Sequence, residues 1–313
     1  AQRCEVATML MNYMEQQAQP EPSPEPSPEP SQSPEPSESP DPDGSASPEP
    51  SPEPEVDPWE EFYSIFGYIP TEGQVGANPY LPEGFQILPS GQGSSYMTYA
   101  YGPYTVGIDV SSHQEEVDWQ AVAASGVQFA MIRAGYRGYT VGSINKDAYF
   151  DYNIQNALRN GLEVGVYFFS QATTEEEARE EALQLLEWIE GYDITYPVVF
   201  DWEEVSDSDS RTKDTDGETV TKCAKVFCDI IEEAGYIPMT YGSPSKIYAG
   251  GLDLAQLQDW PFWLAHYTTG WVPTSFRYHY HMWQYSSSGT VPGIPVKVDL
   301  NLCLTDWSDW GKN

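Results

Sequence analysis

The 313-residue sequence predicts an α/β fold in which eight strands close into an irregular barrel, preceded by a disordered Pro/Glu-rich linker. Two observations support this prediction. From about Tyr104 onward, short runs of β-branched and aromatic residues alternate with amphipathic stretches of helical period, as in sheets with connecting helices. Before that point, residues 20–58 consist almost entirely of Pro, Glu, Asp and Ser, a composition with too little apolar surface to offset its ordering entropy.

Eight strand-like runs follow one another, and helical stretches connect mainly the first five. This order favours a parallel, TIM-like (β/α) barrel whose later connections are too short for full helices. An open, doubly wound sheet is the alternative, and in both architectures ligands bind beyond the carboxyl ends of the strands. The predicted strands are residues 105–110, 129–135, 163–170, 196–203, 236–241, 261–267, 279–285 and 296–300, and the predicted helices are residues 118–125, 147–160, 174–191 and 216–234.

The helix boundaries carry their own signals. Thr174, followed three residues later by Glu177, fits a capping box at the start of a helix. Gly161, Gly191 and Gly235 stand where helices should end, because glycine adopts the left-handed conformation that follows many helices.

Four segments follow from these patterns. Residues 1–19 have no role that the sequence identifies, and residues 20–58 form a spacer that can extend to about 100 Å as a polyproline II helix. Residues 59–103 are rich in aromatic residues and glycine without clear periodicity, so we expect an irregular lead-in that partly packs on the domain. We expect residues 104–313 to form the α/β barrel.

The formal net charge of −34 restricts the partners of the protein. No basic stripe is present to neutralise phosphates, which argues against nucleic acid and anionic membranes as partners. No run of 18 apolar residues is present either, so we expect no insertion into membranes. The chain begins at Ala1 rather than Met, in keeping with a mature secreted protein, which we expect to be monomeric.

Three of the four cysteines lie in the barrel region. Cys223 and Cys228 are five residues apart on a predicted helix and point in different directions, which places them badly for a mutual disulfide. A bridge from this helix to Cys303 and buried free thiols are both compatible with the sequence.

Three predicted strands end in carboxylates. The run Pro-Val-Val-Phe-Asp-Trp-Glu at 197–203 ends in Asp201 and Glu203, which project to the same face because side chains alternate along a strand. Asp109 closes one further strand and Asp299 another. Neighbouring carboxylates in a partly buried volume acquire different pKa values, which provides an acid and a base for glycosidic cleavage.

These residues also carry a resemblance. Gly-Ile-Asp-Val-Ser-Ser-His-Gln at 107–114, Phe-Asp-Trp-Glu at 200–203, Pro-Phe-Trp-Leu-Ala-His-Tyr at 261–267, Met-Trp-Gln-Tyr-Ser at 282–286 and Val-Asp-Leu-Asn at 298–301 resemble the motifs of glycoside hydrolase family 25. Members of that family are N-acetylmuramidases of the Chalaropsis lysozyme type with an irregular α/β barrel. The similarity extends over residues 105–310 in the same order.

The resemblance implies a lysozyme that cleaves the β-1,4 bond between N-acetylmuramic acid and N-acetylglucosamine in the bacterial cell wall. It implies Glu203 as the general acid and Asp109, Asp201 and Asp299 as the other acidic residues of the site. No side chain is an obvious nucleophile, so we expect Asp201 to assist the 2-acetamido group of the substrate. One departure is visible at 167–169, where Tyr-Phe-Phe replaces the Tyr-His-Phe of many members.

Flat aromatic faces and polar edges near strand ends favour sugar binding. We expect no metal or other cofactor, because His279 and His281 lack a third ligand nearby in the sequence. Serine hydrolysis is excluded, because Ser112 and His113 are adjacent and cannot form a nucleophile–base pair. The predicted substrate-binding residues are Tyr136, Tyr167, Tyr241, Trp263, Tyr267 and Gln284.

Two alternatives to a muramidase have different sequence requirements. Chitinases carry aspartates two and five residues before the Asp of their Asp-x-Glu motif, whereas Val199 and Tyr196 occupy those positions here. A wall-binding module without activity would not need all four acidic residues. Peptidoglycan glycan strands are therefore the predicted partner and substrate.

Overall fold

The computed structural model of the chain describes residues 74–91, 93–268 and 273–310. The predicted N-terminal segment, the predicted linker and the first part of the predicted lead-in lie outside the described residues. The strands are β1 (Phe85–Ser90), β2 (Ser94–Tyr99), β3 (Thr105–Val110), β4 (Phe129–Arg137), β5 (Ile144–Lys146), β6 (Glu163–Ser170), β7 (Val198–Trp202), β8 (Pro238–Gly242), β9 (Phe262–Ala265), β10 (Met282–Gly289) and β11 (Val298–Cys303). The α-helices are α1 (Trp119–Ala124), α2 (Phe150–Arg159), α3 (Glu175–Ile189), α4 (Gly217–Glu233) and α5 (Pro244–Tyr248).

Eight of these strands form a closed barrel in the order β3-β11-β10-β9-β8-β7-β6-β4, and pairing of β3 with β4 closes the ring. The predicted eight-stranded α/β barrel is thereby confirmed, and the open doubly wound sheet is excluded. The four long helices fall within the predicted ranges and connect the early strands. The short β5 pairs antiparallel with the end of β4 at the rim of the barrel.

The prediction of an all-parallel barrel is wrong for the last strand. β11 runs antiparallel to both β10 and β3. The reason is the short connection between β10 and β11, since a parallel crossover needs a dozen or more residues. The start of β11, with Asp299, therefore lies at the rim where the parallel strands end.

The predicted helix boundaries hold with one adjustment. Gly161, Gly191 and Gly235 all have positive φ angles, of 76°, 85° and 86°. Thr174 accepts a hydrogen bond from the Glu177 backbone N–H through its side chain, as predicted. The Glu177 carboxylate accepts from the backbone N–H of residue 173, at 2.9 Å, instead of from the Thr174 N–H.

Alternation along the strands fills the barrel interior with apolar side chains. Tyr196 stacks on Phe129, with ring centroids 4.6 Å apart, and packs against Trp307 near the amino ends of the parallel strands. These side chains fill the interior near the amino ends of the parallel strands. Its buried members are Phe129, Met131, Tyr167, Tyr196, Val199, Met239, Trp263, Met282, Cys303 and Trp307.

The predicted lead-in differs from an irregular segment, because β1 and β2 form an antiparallel hairpin. Trp283 and Tyr285 alternate with the inward-facing residues of β10 and therefore point to the outer face of the barrel. The hairpin fills this place. Phe85 packs edge-on against Trp283 at 5.4 Å, and the Tyr285 hydroxyl accepts a hydrogen bond from the Met97 backbone N–H.

The cysteines of the barrel are not bridged. Cys223, Cys228 and Cys303 are free and buried, so free thiols are the alternative that holds for these three. Cys4 lies outside the described residues.

Candidate active site

A cavity of about 240 Å³ opens at the mouth of the barrel, the edge where the sequence predicts the site. Nine of the ten predicted site residues line it, and Tyr136 does not. Five further residues, which were not among the predicted site residues, also contribute. The lining consists of Asp109, Ser111, His113, Gln114, Arg133, Tyr167, Phe169, Asp201, Glu203, Tyr241, Trp263, Tyr267, Gln284 and Asp299.

Asp109 and Asp299 face each other on neighbouring strands. They are directly opposed in the antiparallel pairing of β3 with β11. Their α-carbons are accordingly about 4.5–5.5 Å apart. Asp109 is also paired with Met131, which belongs to the barrel interior. Because paired residues on adjacent strands share a face, both carboxylates point into the mouth.

Asp201 and Glu203 enter the same cavity from β7. Asp201 lies two residues after the interior Val199, so alternation directs it inward, and only 6% of its surface is exposed. Glu203 follows immediately after the last residue of β7 and is half-buried. The predicted convergence of four carboxylates at one rim therefore agrees with the position of all four around the cavity.

Two buried amide side chains orient Asp109. Gln284 Nε2 and Asn301 Nδ2 both donate to Asp109 Oδ2, at 2.7 Å and 2.8 Å. The Gln284 Oε1 atom in turn accepts from the hydroxyls of Tyr241 and Tyr267, at 2.8 Å and 2.7 Å. This network fixes the orientation of the Gln284 amide and leaves its N–H group for the carboxylate.

Burial raises the pKa of both opposed aspartates, and hydrogen bonds from two amides limit the rise at Asp109. It raises the pKa of Asp109 to about 6. The hydrogen bonds from Asn301 and Gln284 lower this pKa, and the negative charge of Glu203 raises it further. It raises the pKa of Asp299 to about 8, with the negative charges of Asp109 and Glu203 adding to the effect. The amide donors on Asp109 favour the negative charge there, so the proton that the pair retains is favoured on Asp299.

Arg133 brings a cation into the cavity, although the sequence around the four carboxylates indicates only Lys297 nearby. Its guanidinium is held by the buried Asp147 carboxylate, at 2.8 Å from Nε and 2.7 Å from Nη2. It also donates to the Ser112 hydroxyl at 3.0 Å. A charged residue within the apolar run 129–135 is a signal that could have identified it.

Aromatic side chains form one wall of the cavity. Trp263 lies edge-on to Tyr167 and Tyr241, with ring centroids 6.3 Å and 5.0 Å away. The Trp263 indole N–H donates to Asn301 Oδ1 at 2.9 Å, which links this wall to the amide network. Tyr267 remains 41% exposed, so its ring is available at the edge of the cavity.

Tyr136 is the predicted site residue that is not part of the cavity lining. A register shift between Arg133 and Gly135 pairs Tyr136 with Phe169 at the end of β6. Its ring packs against the Arg133 guanidinium, 5.4 Å from the ring centroid, and does not line the cavity.

The other residues missing from the sequence prediction lie in or beside motifs that carry the family resemblance. Ser111 and Gln114 form a capping box at the turn after β3, which holds His113 between them. Phe169 pairs with Asp201 and is the last residue of the Tyr-Phe-Phe run at 167–169. For Ser111, His113 and Gln114, the available signal was that they follow Asp109 within five positions in the chain.

The described residues contain no group of three or more His, Cys, Asp and Glu side chains arranged to hold a metal ion. In the same part of the chain, no helix is long and apolar enough to cross a membrane. The absence of a cofactor stays a prediction.

Three similarities bear on this site. Residues 108–294 match the sequence profile of the glycosyl hydrolases family 25. The protein YegX of Escherichia coli O157:H7 is 32% identical over 215 residues, which cover 66% of this chain and 73% of YegX. Lysozyme M1 of Streptomyces globisporus is 29% identical over 211 residues, 62% of this chain and 66% of that enzyme.

A solved structure has the same architecture. The modular autolysin LytC of Streptococcus pneumoniae, in complex with a synthetic peptidoglycan ligand, superposes with a TM-score of 0.54 at 25% identity, covering 73% of this chain and 52% of LytC. The barrel, the carboxylates at its mouth and the matched profile together define a glycoside hydrolase. The chain belongs to glycosyl hydrolases family 25.

Proposed function

We propose that this protein is a muramidase that hydrolyses the β-1,4 bond between N-acetylmuramic acid and N-acetylglucosamine in bacterial peptidoglycan. The convergence of four carboxylates and an aromatic wall in one cavity carries the proposal. Carboxylate pairs supply the acid and the charge stabilisation that glycosidic cleavage needs, and aromatic rings pack on the apolar faces of sugars. A lysozyme and an autolysin with a peptidoglycan ligand among its relatives support this substrate class.

Glu203 is the proposed general acid. It is half-buried at the end of β7 and shares the cavity with three other carboxylates. Its proton passes to the glycosidic oxygen as the bond from that oxygen to the anomeric carbon breaks. The departing glycan end thereby leaves as a neutral alcohol.

Asp201 is proposed to act through the substrate. The 2-acetamido oxygen of the muramic residue forms a bond to the anomeric carbon and gives a cyclic oxazolinium ion, and Asp201 orients the amide and stabilises the positive charge. Water then adds to the anomeric carbon and gives its proton to the Glu203 carboxylate, which restores both the acetamido group and the acid. Two successive inversions retain the anomeric configuration.

Asp109 and Asp299 are proposed to bind the substrate, one as an ionised carboxylate and the other as a protonated carboxyl group. Asp109, ionised and fixed by Gln284 and Asn301, accepts hydrogen bonds. Asp299, whose pKa is raised by burial and by the charges of Asp109 and Glu203, holds the proton of the pair and donates a hydrogen bond. Tyr167, Tyr241, Trp263, Tyr267 and Gln284 are the proposed sugar contacts within the cavity, with Tyr136 at its outer rim.

The test compares substitutions at the two proposed catalytic residues, Glu203 and Asp201, with the same kind of substitution at a neighbouring acidic residue. Glu203→Gln should remove nearly all turnover of soluble glycan strands, and Asp201→Asn should lower kcat by about three orders of magnitude, because charge stabilisation acts at the transition state. Glu204→Gln, at the exposed neighbouring residue, is the matched control and should leave kcat unchanged. Equal activity of Glu203→Gln and wild type would refute the assignment of the acid.

The anomer released first, read by NMR, tests the route. Retention agrees with participation of the acetamido group, whereas inversion would make Asp201 or Asp109 a base that activates water. We propose that the enzyme acts outside the cell on the bacterial wall. Loss of turbidity of Gram-positive wall suspensions distinguishes this activity from a wall-binding module, which would bind the walls and leave their turbidity unchanged.

A further inference from the structure

Glu203 lies beyond the β-ladders that hold its strand. The pairing of β7 with β6 ends at Trp202, opposite Ser170, and its pairing with β8 ends at Phe200. The proposed acid is therefore positioned by contacts other than the sheet register. Catalytic groups need placement to within a fraction of an ångström, so these contacts are of functional interest.

Gln171 binds the backbone of Glu203 from one side. Its side chain is fully buried at the end of β6, and Nε2 donates to the Glu203 carbonyl and to the Ser170 carbonyl, the latter at 2.9 Å. Its Oε1 accepts from the Thr212 hydroxyl at 3.3 Å, in the loop that follows Glu203. The amide is thus oriented at both ends and presents its N–H groups to the carbonyls.

Lys246 binds the preceding peptide from another element. Its ammonium group donates to the Trp202 carbonyl and lies 4.9 Å from the centroid of the Trp202 ring. The start of α5 is fixed by Ser243, whose hydroxyl accepts from the Lys246 backbone N–H at 3.3 Å. The Trp202 indole N–H donates to the Ala172 carbonyl at 2.8 Å, so the ring under the ammonium is itself anchored.

We propose that Gln171 and Lys246 are positioning residues that together hold the Glu203 backbone, one at each of the two consecutive carbonyls, and thereby place its carboxyl group for proton transfer. The proposal rests on Glu203 as the proposed acid. Neither side chain needs to contact the substrate. A displacement of about 1 Å in a reacting group costs on the order of 100-fold in rate, so removal of either donor should act on kcat.

Lys246→Met is the decisive variant, because it removes the donor and keeps most of the alkyl chain at a half-buried position. We expect kcat on soluble glycan strands to fall by about 10- to 100-fold with KM within about twofold. Lys246→Arg retains a cationic donor and should recover most of the rate. Lys222→Met, the same change at an exposed residue of α4, is the matched control and should have wild-type kinetics.

Gln171→Met tests the other contact with a side chain of similar volume, and Gln155→Met on the exposed face of α2 is its control. Circular dichroism and the affinity of each variant for glycan strands, measured with Glu203→Gln also present, show whether fold and binding persist. Gln171 is fully buried; if Gln171→Met fails to fold, the kinetics of Lys246→Met alone test the proposal.

A folded Lys246→Met protein with wild-type kcat would overturn the proposal, as would a loss confined to KM. Failure of the proposed function gives a different result: wild type would then not cleave glycan strands, or Glu203→Gln would cleave them as fast as wild type.

Discussion

Replacing Asp299 by asparagine should stabilise the folded protein at alkaline pH. The perturbed quantity is the pKa of the Asp299 carboxyl, which burial and the charges of Asp109 and Glu203 raise from 3.8 to about 8. Between about pH 4 and pH 8 the folded chain holds a proton that the unfolded chain has released. The free energy of unfolding contributed by this group therefore falls as the pH rises through that window.

The shift sets the size of the effect. One pKa unit corresponds to about 1.4 kcal/mol, so a shift of about four units gives a ceiling of about 6 kcal/mol above pH 8. Asp299 is only half-buried, so solvent around its carboxyl screens part of this cost. We therefore expect about 2 kcal/mol of stabilisation by Asp299→Asn at pH 9, or an increase in Tm of about 5 °C, and little change at pH 4.

Thermal unfolding followed by circular dichroism between pH 4 and pH 9 measures this difference. Asp259→Asn, at an exposed position, is the matched control and should follow wild type at every pH. Burial also raises the pKa of Glu181, to about 7, so ionisation of Glu181 also lowers the stability of the protein as the pH rises. Both proteins contain Glu181, so this effect cancels in the difference between variant and wild type. Parallel pH profiles for wild type and Asp299→Asn would refute the buried-pair explanation.

Three further predictions concern the domain limits and the chemistry. A chain that begins at residue 104 lacks the β1–β2 hairpin and exposes Trp283 and Tyr285. Its Tm should therefore be at least about 10 °C lower than that of a chain that begins at residue 74. Equal Tm values would show that the hairpin is dispensable. Deletion of residues 20–58 should leave hydrolysis of soluble glycan fragments unchanged and alter the rate on intact walls, and a loss on soluble fragments would contradict a spacer role. EDTA should leave the rate unchanged, because the proposed chemistry uses carboxylates and the substrate, and activity restored by added zinc or magnesium would show a metal requirement.

The fold was predictable because the hydrophobic pattern is local. Apolar runs that end in carboxylates at Asp109 and Asp201 indicate both the strands and the rim at which the site lies. The direction of β11 was not predictable in the same way, because the alternation of inward and outward side chains along the sequence is the same in parallel and antiparallel strands. Asp299 was nevertheless placed at the correct rim, since its strand begins where the others end.

The missed parts of the site depend on contacts between distant segments. Arg133 enters the cavity because Asp147, 14 residues later, neutralises it, and a sequence pattern does not show that pairing. The hairpin was missed because residues 85–99 lack regular alternation, and their fit to Trp283 and Tyr285 exists only in the folded chain. The packing of the Tyr136 ring against the Arg133 guanidinium, outside the cavity lining, is likewise a tertiary feature.

Mass spectrometry of digested peptidoglycan tests the central claim most directly. Purified walls are incubated with wild type or Glu203→Gln, the new ends are reduced with borohydride, and the terminal sugars are identified. A muramidase in which Glu203 is the acid produces N-acetylmuramitol ends with wild type and almost none with Glu203→Gln. N-acetylglucosaminitol ends, or fragments released without any new reducing sugar, would contradict the proposed reaction.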